Sequence, residues 1–145
     1  MRVSARTRSP LSRSQAERLA RAVLRAEGVR RAIVSIAFVG PARIRTLNRT
    51  HLGHDRPTDV IAFALRPGPG VRRPHVVIGD IYVCAAVGEA QAARFGAKPA
   101  DELRRLLVHG VLHVLGHDHP AGARRTASAM WRRQEALLAR LGGRR

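Results

Sequence analysis

The sequence is poor in sulfur, in lysine and in aromatic residues. Cys84 is its only cysteine, so an internal disulfide and a cysteine-based zinc cluster are both excluded. Only 3% of the residues are Phe, Trp or Tyr, so the core must be built from Leu, Val, Ile and Ala. With so few aromatic rings, base stacking is not expected to drive binding to nucleic acid. Lys98 is the only lysine, which places nearly all of the positive charge on arginine.

Long apolar runs are also missing. No segment approaches the roughly 20 apolar residues of a membrane-spanning helix, and residues 1–13 lack the apolar stretch of a secretory signal. Together with the single cysteine, these absences predict a soluble protein of the reducing cytoplasm, with no membrane partner. The length of 145 residues predicts one domain over 1–145, in which we interpret residues 1–10 as a loose basic lead-in.

Acidic residues are scarce relative to basic ones. The 27 Lys and Arg against 10 Asp and Glu give a formal net charge of +17. A charge of this size favours polyanionic partners, first of all nucleic acid. We therefore expect RNA or DNA phosphates to be the main contacts, and binding to weaken as salt rises.

The apolar periodicity predicts an α+β fold in which a small mixed β-sheet of three or four strands packs against helices. Strands are expected at 32–39, 58–65 and 75–84, the last with a bulge or a close backbone approach at Gly79-Asp80. Helices are expected at 12–27, 41–49, 85–95, 99–115 and 121–141. The Gly/Pro-rich segment 66–74 reads as a surface connector.

The helix at 99–115 carries a candidate metal site. His109 and His113 are four residues apart and so lie on one helical face. Gly116 can end the helix in a left-handed conformation and let the chain bring His119 back toward the other two. Three neutral imidazoles with an open fourth position are typical of a catalytic zinc site, with one Zn²⁺ per chain.

The spacing of these histidines resembles that of the metzincins, H-E-x-x-H-x-x-G-x-x-H. The residue after the first histidine is Gly110, whereas zincin peptidases have there the glutamate that acts as general base. The sequence therefore predicts a metzincin-like central metal helix without the peptidase base.

Three ordered blocks of sequence stand out along the chain. The first is HGVLHVLGHDH at 109–119. The second is the pair LN at 47–48 followed by DRPTDVIAF at 55–63, and the third is GDIYVC at 79–84. Together they resemble the YbeY family of bacterial metal-dependent endoribonucleases, whose signature is close to H-G-x-L-H-L-x-G-[YH]-D-H. The order and separation of the blocks agree with the family over nearly the whole chain.

The resemblance implies a function and a set of site residues. It implies that His109, His113 and His119 bind zinc, and that the protein acts on ribosomal RNA in maturation and quality control, beside the ribosome or ribosomal proteins. Many members have an arginine in the loop after the Leu-Asn pair, but this chain has Leu52 there. Arg49 and Arg56 are the candidates to replace that arginine as RNA contacts.

The predicted reaction is hydrolysis of single-stranded RNA by a metal-activated water. Asp118 is a candidate general base, and it fits equally well as an acceptor that orients a ligand histidine. Asp59 and Asp80 are expected to have structural roles, His117 to face solvent or phosphate, and the pair Met130 and Trp131 to lie in the core.

Two other functions fit parts of the sequence. One is a non-enzymatic RNA-binding factor of ribosome assembly in which the metal is structural, and the open fourth coordination position argues against it. The other is a metallopeptidase, which the absence of a glutamate at Gly110 disfavours. The oligomeric state is not predicted.

Overall fold

The computed structural model describes residues 1–5, 7–65, 76–118 and 128–142. Its elements are, in chain order, β1 (Arg2–Ala5), α1 (Arg13–Ala26), β2 (Arg31–Phe38), α2 (Pro41–Leu52), β3 (Val60–Ala64), β4 (Val76–Val83), α3 (Ala85–Phe95), α4 (Pro99–Val114) and α5 (Ala129–Leu137), with a π-helical turn over Leu138–Gly142. The predicted connector at 66–74 lies outside the described residues. None of the helices in the described ranges is long and apolar enough to cross a membrane.

The four strands form one mixed sheet in the order β1-β2-β4-β3. β2 pairs in parallel with both β1 and β4, and β3 pairs antiparallel with β4. The predicted α+β architecture is therefore confirmed. The interpretation of residues 1–10 as a loose lead-in is wrong for Arg2–Ala5, which form an edge strand beside Ser35–Phe38. Four residues are too short to show the alternation that identifies a strand in a sequence.

Helix α4 lies at the centre of the fold, as predicted. Its apolar side chains pack in one buried cluster with those of α1 and of one face of β2 and β4. The α4 side chains that are completely buried are Leu103, Leu107, Val108, Val111 and Leu112. α2 covers the other face of the sheet, where a second apolar cluster includes Ile44 and the buried Cys84. The outcome is that one side of α4 is fixed against the sheet and the other is available to form a site.

Two glycines allow α4 to approach the sheet closely. A Cβ atom on Gly79 of β4 would lie 2.4 Å from Cγ1 of Val114, so of the two alternatives predicted there, a bulge or a close approach, the close approach is confirmed. A Cβ atom on Gly110 of α4 would lie 2.8 Å from Cγ2 of Ile81. Both distances are below any normal carbon–carbon contact, so a larger side chain at either position would push the helix off the strand.

Candidate active site

His109 and His113 lie one turn apart on α4, on the side of the helix that lines a cleft shared with β3, α3 and α5. Both side chains are half-buried, and their ring centroids are 4.6 Å apart with the planes inclined by 76°. The helix ends as predicted, because Gly116 has a φ of 99° and the amides of Gly116 and His117 donate to the carbonyls of His113 and Leu112. This pattern is a Schellman motif, which turns the chain just after the two histidines.

The third predicted ligand, His119, lies outside the described residues. Within the ranges that the structure describes, no three His, Cys, Asp or Glu side chains form a group that could hold a metal ion. The pair His109 and His113 is thus the described part of the predicted site, and ligation by His119 stays a prediction.

Gln134 of α5 orients His109. Its Oε1 atom lies 2.7 Å from Nδ1 of His109, and the glutamine is only 1% exposed. A carboxamide oxygen can only accept, so Nδ1 donates the proton of this hydrogen bond, and in the neutral imidazole the lone pair then lies on Nε2. This is the arrangement in which a histidine binds a metal through Nε2 while a neighbour holds its other ring nitrogen, so His109 fits the role of a metal ligand.

The sequence reasoning missed Gln134, although a signal was present. Met130, Gln134 and Leu137 are the buried residues of α5, at helical spacing. A glutamine within an apolar stripe has to find a hydrogen-bond partner, since burying an unpaired amide is costly.

The two histidines open onto a cleft of about 880 Å³ between α4, α3, α5 and β3. Gln134 and Gly110 line its base. The charged and aromatic side chains that also line it are Asp59, Arg94, Phe95, Glu102, Arg105 and Trp131. Leu52, at the position where the resembled family often has arginine, borders the same cleft and is 52% exposed.

A model of the family described as Endoribonuclease YbeY matches residues 3–142. This chain belongs to that family. The YbeY family resemblance seen in the sequence is therefore confirmed.

Individual relatives agree with the family match. The chain is 42% identical over 139 residues to the endoribonuclease YbeY of Moorella thermoacetica, covering 91% of this chain and 88% of that protein. It is 40% identical over 127 residues to that of Pelotomaculum thermopropionicum, covering 86% and 82%. The solution structure of TM1509 from Thermotoga maritima superposes with a TM-score of 0.63 at 26% identity, covering 99% of this chain and 90% of that one.

The two arginines proposed from the sequence are not among the described residues that line the cleft of this YbeY family member. Arg49 lies 3.7 Å from Asp55, and Arg56 is exposed, with its backbone carbonyl bound by the side chain of Asn48. Arg45 binds both oxygens of Asp55, at 2.9 and 3.2 Å, and this hydrogen bonding lowers the pKa of the carboxyl. These contacts hold the loop after α2 in place.

Arg94 and Arg105 were not singled out in the sequence, yet both line the cleft. Arg105 donates to both oxygens of Glu135 at 3.2 Å and to Glu102 at 3.4 Å, and its hydrogen bond with Glu135 raises the pKa of Arg105. Its charge is largely compensated. Arg94 is exposed, and no carboxylate in the described part of the chain forms an ion pair with it.

The aspartates have different environments. Oδ1 of Asp59 accepts from the backbone N–H of Val60 at 2.8 Å and from the hydroxyl of Thr58 at 3.3 Å, as expected of a structural residue at a strand entrance. Asp118 is exposed just beyond the end of α4. Its two predicted roles, general base and acceptor for a ligand histidine, stay predictions.

Two expectations for residues near the site are wrong. His117 does not simply face solvent, because its Nε2 lies 3.1 Å from Oε1 of Glu27. Trp131 lines the cleft and is only half-buried, whereas Met130 lies in the core as expected. On α5 the buried stripe runs through Met130 and Gln134. Trp131 directly follows Met130 and is therefore rotated from this stripe by about 100°, toward the cleft.

Proposed function

We propose that this protein is a zinc-dependent endoribonuclease that cleaves single-stranded RNA and acts in the cytoplasm on ribosomal RNA, in its maturation and in ribosome quality control. The observation that carries the proposal is the His109–His113 pair, open to a cleft and with the His109 tautomer fixed by Gln134. Membership of a family described as Endoribonuclease YbeY supports the reaction class.

His109 and His113, joined by His119, would hold the metal. A bound zinc ion supplies a positive charge that lowers the pKa of a water molecule and offsets charge building on a phosphate. Gln134 contributes by keeping the proton on Nδ1 of His109, so that Nε2 is the nitrogen that would bind the ion. Because both histidines are neutral ligands, they do not reduce the charge that the ion presents to RNA.

The cleft can also bind the RNA backbone. Arg94 lies in its wall with no carboxylate partner in the described ranges, so its guanidinium is available to donate two parallel hydrogen bonds to a phosphate. The net charge of +17 draws polyanions such as RNA toward the protein from a distance. Association with the ribosome or its proteins is part of the proposal.

The packing around Gly110 disfavours the peptidase alternative. In zincin peptidases this position carries the glutamate base, whereas here a side chain would point at Ile81 and Val60 of the sheet. The packing therefore leaves no room at position 110 for the glutamate of the peptidase mechanism. We therefore keep Asp118, as base or as orienting acceptor, within the proposed mechanism.

A His113→Ala variant tests the proposal against the structural-metal alternative. We expect the variant to keep its circular dichroism spectrum and its affinity for a single-stranded oligoribonucleotide, and to lose cleavage. His54→Ala is the matched control, since His54 is exposed and is not among the described cleft residues. A variant that unfolds, or that binds RNA poorly while the control does not, would favour a structural metal. Casein turnover that depends on His113 would favour the peptidase.

A further inference from the structure

An exposed phenylalanine lies at the mouth of the cleft. Phe95 is 78% exposed although it continues the helical spacing of the buried α3 residues Ala85, Gly88 and Ala92. Four large apolar side chains are exposed in the described part of the chain, and two of them, Leu52 and Phe95, border this cleft. Half of these exposed apolar side chains therefore lie where the proposed substrate enters.

Phe95 is paired with a cation. The guanidinium carbon of Arg94 lies 5.8 Å from the centre of the Phe95 ring, within the range of a cation–π contact. Arg105, in the same cleft, is bound by two carboxylates, whereas Arg94 forms no ion pair within the described ranges. The mouth of the cleft thus combines an open aromatic face with a positive charge that has no acidic partner there.

A nucleotide of single-stranded RNA matches both features. Its base offers a flat π-face that can stack on an aromatic ring, and its phosphate offers the paired oxygens that a guanidinium binds. An apolar segment of a protein would match Phe95 and Leu52 but would leave the Arg94 charge uncompensated. The excess of basic residues in the chain also favours the polyanion.

We propose that Arg94 and Phe95 form a nucleotide-binding subsite at the mouth of the cleft, in which Phe95 stacks on an unpaired base and Arg94 binds its phosphate. This inference rests on the proposed function, because it takes RNA as the substrate. It assigns the preference for single strands to Phe95, since a base inside a duplex has no free face to stack.

The probes are a set of short single-stranded oligoribonucleotides of one sequence, each carrying 2-aminopurine at a different position. A chelator suppresses their cleavage. The full-length metal-free protein is first checked by circular dichroism to have kept its fold. Stacking on Phe95 should quench the fluorescence of 2-aminopurine at one position and leave the fluorescence at the other positions unchanged. Fluorescence anisotropy of the same probes gives the dissociation constant.

For Phe95→Leu we expect loss of the quench and binding about tenfold weaker, the scale found for loss of one base–aromatic stack. Phe95→Trp keeps an aromatic face and should bind within about twofold of the parent. Arg94→Gln should lower the slope of log affinity against log salt by about 0.7, the value for one phosphate contact on a single strand. Ile33→Ala and Arg43→Gln are matched controls outside the described cleft lining and should change neither quantity.

The outcomes separate the subsite from the proposed function. A parent that cleaves and binds RNA while Phe95→Leu binds equally well would overturn the subsite and leave the proposed function standing. Equal losses in Phe95→Leu and Phe95→Trp would also overturn it, since an aromatic ring would then not be what is recognised. A parent that neither binds nor cleaves the probe when zinc is restored would overturn both.

Discussion

Nδ1 of His109 lies 2.7 Å from Oε1 of Gln134, and both belong to helices that meet beneath the cleft. Gln134→Leu removes the acceptor and frees the imidazole to change tautomer or rotate, so we expect zinc affinity to fall by about tenfold to a hundredfold. The measurement is competition for zinc with a chromophoric chelator. Gln91→Leu, at another glutamine of the same cleft, is the control and should bind zinc like the parent. Equal zinc affinity in the parent and in Gln134→Leu would show that Gln134 does not position the ligand.

Because Gly110 packs closely against Ile81, we expect any side chain at position 110 to lower the stability of the fold. Gly110→Ala should lower the free energy of unfolding by about 1 kcal/mol net, since overpacking costs more than the alanine gains in helix propensity. Gly88→Ala is the matched control, because its Cβ would meet the flexible ends of Leu103 and Leu106 at 3.0–3.1 Å and should cost less. Both values come from urea unfolding.

A double substitution tests the cause of that cost. In an Ile81→Ala background the Cγ2 atom is absent, so adding Gly110→Ala should cost less than it does in the parent. Strict additivity of the two substitutions would contradict the packing explanation.

Glu27 connects three helices at one edge of the site. Its carboxylate accepts from Nε and an Nη atom of Arg133 at 3.0 and 2.9 Å, and its other oxygen lies 3.1 Å from His117. Glu27 is largely shielded, with 14% of its side chain exposed, so Glu27→Ala should lower the free energy of unfolding by about 1.5 kcal/mol. Glu17→Ala breaks the exposed Glu17–Arg21 pair and should cost about 0.3–0.5 kcal/mol. If Glu27→Ala and Glu17→Ala lowered the free energy of unfolding equally, in thermal or urea unfolding, the Glu27 contacts would contribute no more to stability than an exposed ion pair.

The pair of Arg45 and Asp55 predicts a pH dependence. Hydrogen bonding from Arg45 lowers the pKa of Asp55 below the ordinary value of 3.8. The ionised carboxylate therefore favours the folded loop above pH 3.8, and this contribution is lost as the pH falls through the lower folded-state pKa. An NMR titration of the Asp55 carboxyl carbon should show the lowered value, and Arg45→Gln should return it toward 3.8. A parent titrating at the ordinary value would contradict the pair.

The parts of the fold that the sequence predicts are those controlled by local pattern. Helix α4 follows from its apolar periodicity and from Pro99 and Gly116 at its ends, so the placement of His109 and His113 on one face could be predicted. Gly79 was noticed as irregular within a strand, and it marks a close helix–strand contact; Gly110 marks another, although the sequence drew attention to it only for the missing glutamate. The strands β2, β3 and β4 follow from runs of β-branched residues.

The parts that were missed depend on which distant segments meet. Strand β1 is held by pairing with β2 rather than by its own four residues. Glu27 and His117 are far apart in sequence, and their contact arises only because α1 and α4 end side by side. Whether Trp131 or Gln134 faces the core is fixed by how α5 is rotated against α4, which shifts with a single residue of register.

The most direct test of the account is RNA cleavage measured while zinc is added back to metal-free protein. The parent should cleave a single-stranded oligoribonucleotide with a rate that rises and levels off near one zinc per chain, and His113→Ala should stay inactive at every zinc level. Cleavage by the metal-free parent, or equal cleavage by His113→Ala, would contradict the claim that the α4 histidines hold the metal that hydrolyses RNA.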